Sequence, residues 1–448
     1  MTMFGQLLLP ELRELIQTND QAGMREFLEA LHPVASSEVL ENVTPPETWT
    51  VLANVSFERQ AEVFGYFHPS LQMTLVENVD RGHLSKLIET MAHDDRADLL
   101  ERMDPEHVEA LLPLMAQAER NDIRRLLSYP DGSAGSIMTT DYASLPENIT
   151  VSEALDQLRR QAPDRETIYY VYILEDDRKL DGFITLRQLI LAKPNALLAD
   201  IMERDVFAVR VDDDQEKVAQ EMARFDFLAM PVVDNQNRLV GIITHDDVID
   251  VLQEEATEDV YRAGGMSPLE DSYLDSPLKT LVWKRGVWLV GLLATGFVSA
   301  TMLKHFRPDA EQIEWMMVFL PLVLASGGNS GSQSATLVIR AINMETLSRR
   351  ESRKLLLREL FMATTLGGVL MLEAFLLAMF LEHPSKALVV SLTVFMLVWM
   401  GAVTGALLPL LFKRLGMDPA MMSNPMIAAI VDITGGVIYF SVARMIIL

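Results

Sequence analysis

The sequence contains no cysteine among its 448 residues and only 8 histidines. Disulfides, thiolate catalysis and cysteine-ligated zinc sites are therefore excluded, because each of them needs a thiol. The amino terminus also lacks the basic segment and the long apolar run of a signal peptide, so the first half of the chain is expected to stay in the cytoplasm. We find no nucleophile–base constellation and no phosphate-binding glycine loop, and we predict no enzymatic activity.

Basic residues are scarce as well, with 38 Lys and Arg against 63 Asp and Glu. Residues 1–275 contain 53 acidic and 23 basic residues, whereas residues 276–448 contain 10 and 15. Such an acidic first half repels nucleic acid, which we exclude as a partner. Its clustered carboxylates suit hard cations such as Mg²⁺ or Ca²⁺.

Long apolar runs are confined to the second half. Five of them approach the roughly 20 residues that a membrane-spanning helix needs. They lie at about 286–303, 315–339, 355–381, 387–412 and 420–443. Basic residues precede the first run and fill the second and fourth linkers, which places those segments inside the cell. A soluble domain with buried helices would not explain this alternation of charge. We predict five spans in a lipid bilayer, with a cytoplasmic amino terminus and an outside carboxyl terminus.

Carboxylates inside the spans are few and costly, which makes them candidates for function. Asp432 lies about 12 residues into the fifth run, near the bilayer centre. Ala428 precedes it by one helical turn and leaves room for a hydrated ion, and Asn424 lies near the same face. A structural ion pair with Arg444 is the alternative, but more than three turns separate the two residues. Glu373 in the third run is a second, weaker candidate.

The second run carries an unusual polar segment, Ser326-Gly-Gly-Asn-Ser-Gly-Ser-Gln-Ser-Ala-Thr336. A helix-packing seam of small residues would explain Gly327, Gly328 and Gly331. It would not explain Asn329 and Gln333, which share one helix face and need polar partners. A water-lined pathway accounts for both groups of residues.

The acidic half contains an internal repeat over residues 136–253. Ser136-Ile-Met138 recurs as Asp200-Ile-Met202, and each copy is followed by a helix and then by a strand–turn–strand unit. The pattern of residues 1–130 is typical of short amphipathic helices, and it predicts an α-solenoid, a helical superhelix. Acidic clusters follow in and after the second repeat. Singly each fits a solvated face, but together they would repel neighbouring domains unless divalent cations bridged them.

Four segments together are typical of one family. They are 327–336 and 416–444 of the membrane part, Glu255-Ala-Thr-Glu-Asp259 and Ser133-Ala-Gly-Ser-Ile-Met-Thr-Thr140. In these segments the chain resembles the MgtE family of Mg²⁺ channels, and the resemblance covers nearly its whole length. The resemblance implies a homodimer with the following organisation. The parts are a superhelical N domain (1–131), an α/β tandem CBS pair (132–199 and 200–261), a connecting plug helix (262–284) and a five-span all-α pore domain (285–448).

The resemblance also implies site residues. The pore would be formed by Asp432, Ala428, Asn424 and Asn329, with Gly328 and Gly331 leaving space for the water shell of Mg²⁺. Regulatory Mg²⁺ would bind Asp214, Glu216, Asp226, Asp247, Asp250, Glu255, Glu258, Asp259 and Asp418, joined by the main-chain carbonyl of Ala223 and more weakly by Asp94 and Asp95. Some relatives bind ATP in the CBS pair, and Tyr170, Arg187 and Phe227 are compatible with that.

We therefore predict a Mg²⁺ channel that imports the ion down its electrochemical gradient and is closed when Mg²⁺ binds its acidic cytoplasmic domains. Two alternatives remain open. One is transport of another divalent ion such as Co²⁺, Mn²⁺ or Zn²⁺, although the scarcity of histidine and the absence of cysteine favour a hard ion. The other is a membrane-anchored nucleotide sensor, which would not need the polar residues of the second and fifth runs.

Overall fold

The computed structural model describes residues 3–175, 177–269, 273, 276–305, 310–344, 349–421 and 424–447. The chain divides into two compact units, Met1–Glu254 and Glu255–Leu448. The first unit contains only short helices and two small sheets, whereas the second is dominated by long helices.

Short helices form the beginning of the first unit. In chain order they are α1 (Met3–Thr18), α2 (Gln21–Ala30), α3 (Pro33–Leu40), α4 (Pro45–Leu52), α5 (Phe57–Gly65), α6 (Pro69–Glu77), α7 (Arg81–Thr90), α8 (His93–Arg102), α9 (Pro105–Leu111) and α10 (Gln117–Leu126). Four of them begin at a proline, which fits the first turn because no hydrogen bond is lost there. Others begin after a side chain that accepts a backbone N–H, such as Asp20 and Asp80.

These helices stack in two rows. Helix α1 packs on α3, α3 on α5 and α5 on α7, while α2 packs on α4, α4 on α6 and α6 on α8. One apolar core runs along the stack and includes Leu12, Leu40, Phe64 and Leu87, all fully buried. Each helix therefore contacts mainly its near neighbours, which is the arrangement of a solenoid. The predicted helical superhelix is confirmed.

The rest of the first unit is built from the repeat. Its elements are β1 (Tyr142–Leu145), α11 (Val151–Gln161), β2 (Thr167–Leu174), β3 (Leu180–Thr185), α12 (Leu186–Leu191), α13 (Leu198–Ile201), β4 (Val209–Arg210), α14 (Gln215–Phe225), β5 (Ala229–Val233) and β6 (Leu239–Thr244). In each copy the first strand runs parallel to the second, and the second pairs antiparallel with the third. Arg178 and Asn237 hold matching left-handed positions in the two hairpin turns.

The two copies exchange their opening segments. Thr139, after the first Ile-Met, forms two backbone hydrogen bonds of 2.8 and 2.9 Å with Ile242 of β6. Glu203, after the second Ile-Met, pairs in the same way with Phe183 of β3. Met138 lies against Gly241 and Met202 against Gly182, where a β-carbon would approach the sulfur and a backbone oxygen. The repeated glycine is thus required by the close approach of the other copy's opening segment.

Helix α15 (His245–Ala263) leads out of the second copy. It ends at Gly264-Gly265, and Gly265 has the positive φ of +72° that a helix end favours. Residues 266–269 are not helical. The next helix begins at Leu278. The connecting helix that the sequence predicts at 262–284 stays a prediction, and its residues 270–272, 274 and 275 lie outside the described residues.

Long helices make up the second unit: α16 (Leu278–His305), α17 (Ala310–Met344), α18 (Arg349–Met379), α19 (Pro384–Arg414) and α20 (Asn424–Ile446). Each overlaps one of the five predicted spans. Helix α19 lies at the centre and packs on α17, α18 and α20, while α16 packs on α20. Pro425 lies in the first turn of α20, so it starts that helix rather than breaking it.

Among the described residues, four helices are long and apolar enough to cross a membrane, namely α16, α18, α19 and α20. Helix α17 has 35 residues and also exceeds the required length. Its segment Ser326–Thr336 makes it less apolar than the other four, yet the helix continues through this segment without a break. The polar residues are therefore displayed on a regular helix.

Candidate cation pathway and cation-binding residues

Two glycine pairs bring the backbones of α17 and α19 into direct contact. A β-carbon on Gly401 would overlap the carbonyl oxygen of Gly327, and one on Gly405 would overlap that of Gly331. Gly331 also lies against Ile427 of α20. This is a packing seam of small residues, the arrangement that lets membrane helices approach closely. Gly327 and Gly331 are buried in that seam.

The neighbouring face of α17 meets α20 where the sequence placed the pathway. A β-carbon on Gly328 would lie 3.6 Å from the β-carbon of Ala428. The hydroxyl of Ser332 lies 3.5 Å from the carbonyl oxygen of Asn424. Asp432 follows Ala428 by one turn and is half-buried. The structure thus brings Gly328, Asn424 and Ala428 together, with Asp432 beside them.

Asn329 and Gln333, which we call the polar stripe, are exposed on the outer face of α17. Their amides lie within the length of a membrane-spanning helix. Hydrocarbon offers no hydrogen bonds, so amides facing lipid would lose the partners that water gives them. The polar stripe therefore needs a wet or protein-covered environment.

Glu359 of α18 has a partner that sequence reasoning missed. Its Oε2 accepts a hydrogen bond of 2.5 Å from the hydroxyl of Ser334, which is buried on α17. Glu373, on the same helix, is exposed and lies outside the α17–α20 contact.

Helix α14 positions four of the predicted regulatory residues. Asp214 caps its amino terminus and accepts the N–H groups of Glu216 and Lys217 at 3.1 and 3.3 Å. The Glu216 carboxylate accepts from Gln220 at 3.0 Å. Ala223 is exposed in the last turn, and Asp226 ends the helix in the left-handed conformation with φ of 55°. These residues lie at the two ends of α14.

The first turn and a half of α15 holds Asp247 and Asp250. The Asp247 carboxylate accepts the backbone N–H of Thr244 at 3.2 Å and its hydroxyl at 2.6 Å, which caps the helix. Burial, and then the charge of Asp246, raise the pKa of Asp250 above the ordinary range of an aspartate. A bound cation would reverse that shift, since it favours the ionised carboxylate.

Arg262 connects a residue of its own helix with Asp418, which lies 156 positions further along the chain than the arginine. Its guanidinium forms ion pairs with Glu258, one turn earlier on α15, and with Asp418, which lies between α19 and α20. The other oxygen of Asp418 accepts the N–H of Ala420 at 2.7 Å. Glu255 and Asp259 flank Glu258 on α15. The spacing of Glu258 and Arg262 was visible in the sequence, but the contact with Asp418 depends on tertiary structure.

Asp95 of α8 has its carboxylate against the end of α5, where a β-carbon on Gly65 would lie 2.8 Å from it. The side chain of Asp94 lies outside the described residues. Within the part of this single chain that the structure describes, no three His, Asp or Glu side chains converge on a point that could hold a metal ion.

The predicted nucleotide residues lie in both copies of the repeat. The Tyr170 ring on β2 stands edge-on to Phe183 with centroids 5.7 Å apart, and Arg187 is exposed on α12. Phe227, in the second copy, contacts Phe225 and Phe207 at 5.7 and 6.0 Å. Aromatic faces and a cation of this kind suit a purine and a phosphate, respectively.

Comparison with known families matches three parts of the chain. A divalent cation transporter model covers residues 320–442, an MgtE intracellular N domain model covers 31–132, and a CBS domain model matches 134–195 and 198–254. The magnesium transporter MgtE of Thermus thermophilus is 37% identical over 97% of this chain and 97% of its own. That of Bacillus subtilis is 30% identical over 96% and 95%.

Two solved structures match just over half of the chain in sequence and fold. The soluble part of a magnesium transporter is 33% identical with a TM-score of 0.54 and covers 56% of this chain and 99% of its own. The cytosolic domain of the Mg²⁺ channel MgtE in complex with ATP is 38% identical with a TM-score of 0.52, covering 55% and 100%.

Proposed function

This chain belongs to the MgtE family of magnesium transporters, and from that premise we propose that it imports Mg²⁺ through a pathway between α17 and α20. The observation that carries this proposal is the position of the polar stripe beside the contact of Gly328 with Ala428, with Asp432 one turn further. The two amides are exposed on α17, the Asp432 carboxylate is half-buried on α20, and the small residues Gly328 and Ala428 lie where the two helices meet.

Mg²⁺ loses its water reluctantly, so a pathway selective for it should bind the hydrated ion with a few oxygens. Asp432 supplies the negative charge, and Ala428 and Gly328 leave room for the water shell. The inside-negative potential drives entry with about 2.3 kcal/mol per charge per 100 mV, and hence with roughly twice that for Mg²⁺.

We propose further that the protein is a homodimer in the cell's inner membrane, with its amino terminus in the cytoplasm and its carboxyl terminus outside. The exposed polar stripe supports a second copy, since one chain alone would turn those amides toward lipid. Two copies also bring two Asp432 carboxylates near one axis, which balances the charge of one Mg²⁺.

The homodimer can be tested by cross-linking, because the chain has no cysteine of its own. We expect Gln333→Cys to form a disulfide-linked dimer under mild oxidation in membranes. Leu366→Cys, exposed on α18, is the matched control and should stay monomeric on a denaturing gel. Cross-linking of both variants to the same extent would indicate random collision and would remove this support.

Acidic residues of the cytoplasmic part provide the feedback. At high internal Mg²⁺, the ion neutralises them and the pathway closes; at low Mg²⁺, their repulsion opens it. Carboxylates are the ligands that Mg²⁺ prefers, so Glu258 and Asp418, whose oxygens already share one cation, fit a regulatory site. The remaining residues of this proposed set are Asp214, Glu216, the Ala223 carbonyl, Asp226, Asp247, Asp250, Glu255, Asp259 and Asp95.

The feedback is tested by neutralising Asp250 and Glu258 together as Asp250→Asn and Glu258→Gln. Asp247 is left intact, because its carboxylate caps α15 and its loss would unfold the helix end. Inhibition of flux by Mg²⁺ on the cytoplasmic side should weaken in this variant. The control, Glu106→Gln with Asp156→Asn, removes equal charge from exposed positions. Unchanged inhibition would contradict the assignment.

ATP is proposed as a second ligand of the CBS pair, held by Tyr170, Phe227 and Arg187. Calorimetry of the purified protein should show ATP binding that Arg187→Gln weakens. Absence of heat with the unchanged protein would remove ATP from the proposal. The family is one of transporters, and we propose that the chain is not an enzyme.

Ion selectivity decides between Mg²⁺ and the other divalent ions. Proteoliposomes loaded with a fluorescent Mg²⁺ indicator should show Mg²⁺ uptake. Low concentrations of Co²⁺, Mn²⁺ or Zn²⁺, added together with Mg²⁺, should not reduce its rate. Faster uptake of one of those ions than of Mg²⁺ would favour a different substrate. No uptake of any divalent ion would favour the nucleotide sensor.

A further inference from the structure

We propose that Arg262 sets the Mg²⁺ affinity of the regulatory site at Glu258 and Asp418, because its guanidinium competes with the ion for the same two carboxylates. This inference rests on the proposed feedback by cytoplasmic Mg²⁺. It adds to the regulatory site a positively charged residue that does not itself bind the ion.

The geometry places Arg262 between the two carboxylates. One terminal nitrogen contacts Oε1 of Glu258 and the other contacts Oδ2 of Asp418. All three side chains are about one-third exposed, at 34% for Arg262, 28% for Glu258 and 26% for Asp418. An ion arriving from solvent can therefore reach the oxygens that the arginine occupies.

A hydrogen bond from a nearby backbone N–H orients the Asp418 side chain toward the arginine. Its Oδ1 accepts the N–H of Ala420 at 2.7 Å, which leaves Oδ2 for the guanidinium. Residues 419–421 form a short turn directly before α20, the helix that carries Asn424, Ala428 and Asp432. Through this one side chain, α15 is joined to the segment that begins the proposed pathway.

Charge decides how the arginine acts. A guanidinium stays protonated and offers a planar fork to two carboxylates, whereas Mg²⁺ attracts oxygens more strongly but must first displace that fork. The arginine also repels a divalent ion at the same point. Arg262→Gln removes both effects, so Mg²⁺ should bind at lower concentration. Arg262→Lys keeps the charge without the fork and should stay near the unchanged protein.

The test uses the absence of cysteine. In the full-length protein in detergent, Leu415→Cys carries an environment-sensitive fluorophore, because Leu415 is 64% exposed and precedes Asp418 by three residues. Mg²⁺ is titrated while fluorescence is recorded. Repeating the titration with the label at Val260, which is 72% exposed on α15, separates a local effect on the probe from movement of the site.

We expect the half-saturating Mg²⁺ concentration to fall by about tenfold in Arg262→Gln, and by less than about twofold in Arg262→Lys. Arg204 is 56% exposed and forms ion pairs with Glu147 and Asp181. Arg204→Gln is the control and should leave the midpoint unchanged. An unchanged or higher midpoint in Arg262→Gln would overturn the role of Arg262, while the feedback itself would stand. No Mg²⁺ response at either label in the unsubstituted protein would overturn the feedback and this inference together.

Discussion

Arg96 is a fully buried charged residue at the end of the solenoid. Its Nη2 lies 3.3 Å from Oδ2 of Asp122 on α10. The same Asp122 oxygen accepts a hydrogen bond of 3.1 Å from Thr140, at the start of the first repeat copy. Burying an arginine is costly unless it is paired, so this contact ties α8 and α10 to the repeat.

The prediction from this pair concerns stability. Arg96→Met removes the buried cation of this pair, but Asp122 keeps its ion pair with Arg125 at 3.2 Å. The cost should therefore stay below the roughly 3–5 kcal/mol of an uncompensated buried charge. We expect the thermal unfolding midpoint of the cytoplasmic part to fall by roughly 5 °C. Arg159→Met, at a position that is 74% exposed, should change it little. Equal midpoints for the two variants would show that Arg96 is not held as described.

The raised pKa of Glu101 predicts that the stability of the folded chain depends on pH. A hydrogen bond with Asp131, then burial, then the charges of Asp131 and Asp98 raise its pKa to about 7 from 4.5. The folded chain therefore holds a proton that the unfolded chain releases between those two values. Stability should fall as the pH rises through that window.

The measurement compares unfolding midpoints at about pH 5.5 and about pH 7.5. Glu101→Gln should lose part of the decrease that the unchanged protein shows, because an amide keeps the hydrogen bond at every pH. The effect should be small, since Glu101 is largely exposed. Glu106→Gln is the control. An identical decrease in Glu101→Gln and the unchanged protein would contradict the shared proton.

At the scale of elements, the α17–α19 seam makes the strongest demand on the sequence. A β-carbon on Gly405 would overlap the backbone of Gly331 on α17. One on Gly331 would overlap the Ile427 side chain of α20 and lie 3.1 Å from the Gly401 carbonyl oxygen. We expect Gly405→Leu to destabilise the membrane part by at least about 1–3 kcal/mol. The stability in detergent would show this as a lower aggregation temperature.

Gly368 of α18 provides the matched control for that prediction. Gly368 is exposed, and a β-carbon there would meet no atom within 4 Å, so Gly368→Leu should be tolerated. Equal stability of Gly405→Leu and the unchanged protein would mean that the two helices lie farther apart than the structure has them.

Elements also show what the sequence could predict. The repeat, its hairpins and the five long apolar runs follow from period and composition, which are local properties. The exchange of Met138 and Met202 between the copies could not be predicted, because it depends on which sheet each opening segment meets.

The residues of the candidate site also fall into those that the sequence could predict and those that it could not. Asp432, Ala428 and Asn424 stood out by their spacing on one helix, and the polar stripe by its position within a span. The separation of Gly328 from Gly327 and Gly331 required the neighbouring helices, because all three are simply glycines in sequence. The pairing of Glu258 with Asp418 through Arg262 is also tertiary.

At the scale of the whole molecule, charge and hydropathy are segregated along the chain. In the proposed function, the acidic half offers carboxylates to cytoplasmic cations, and the basic linkers of the membrane half orient it in the bilayer. Helix α15 begins in the second repeat copy and ends in the second unit. A cation that moves this helix could therefore change the segment that follows it, which is the physical basis of the proposed feedback.

The central claim is that Asp432 is the carboxylate of the ion path. It is tested by Mg²⁺ uptake into proteoliposomes at a fixed inside-negative potential. We predict that Asp432→Asn, which keeps size and removes charge, lowers the initial rate by about tenfold or more. Glu373→Gln, which neutralises the exposed carboxylate of α18, should retain the unchanged rate. Undiminished uptake in Asp432→Asn, with protein of equal amount and orientation, would contradict the account.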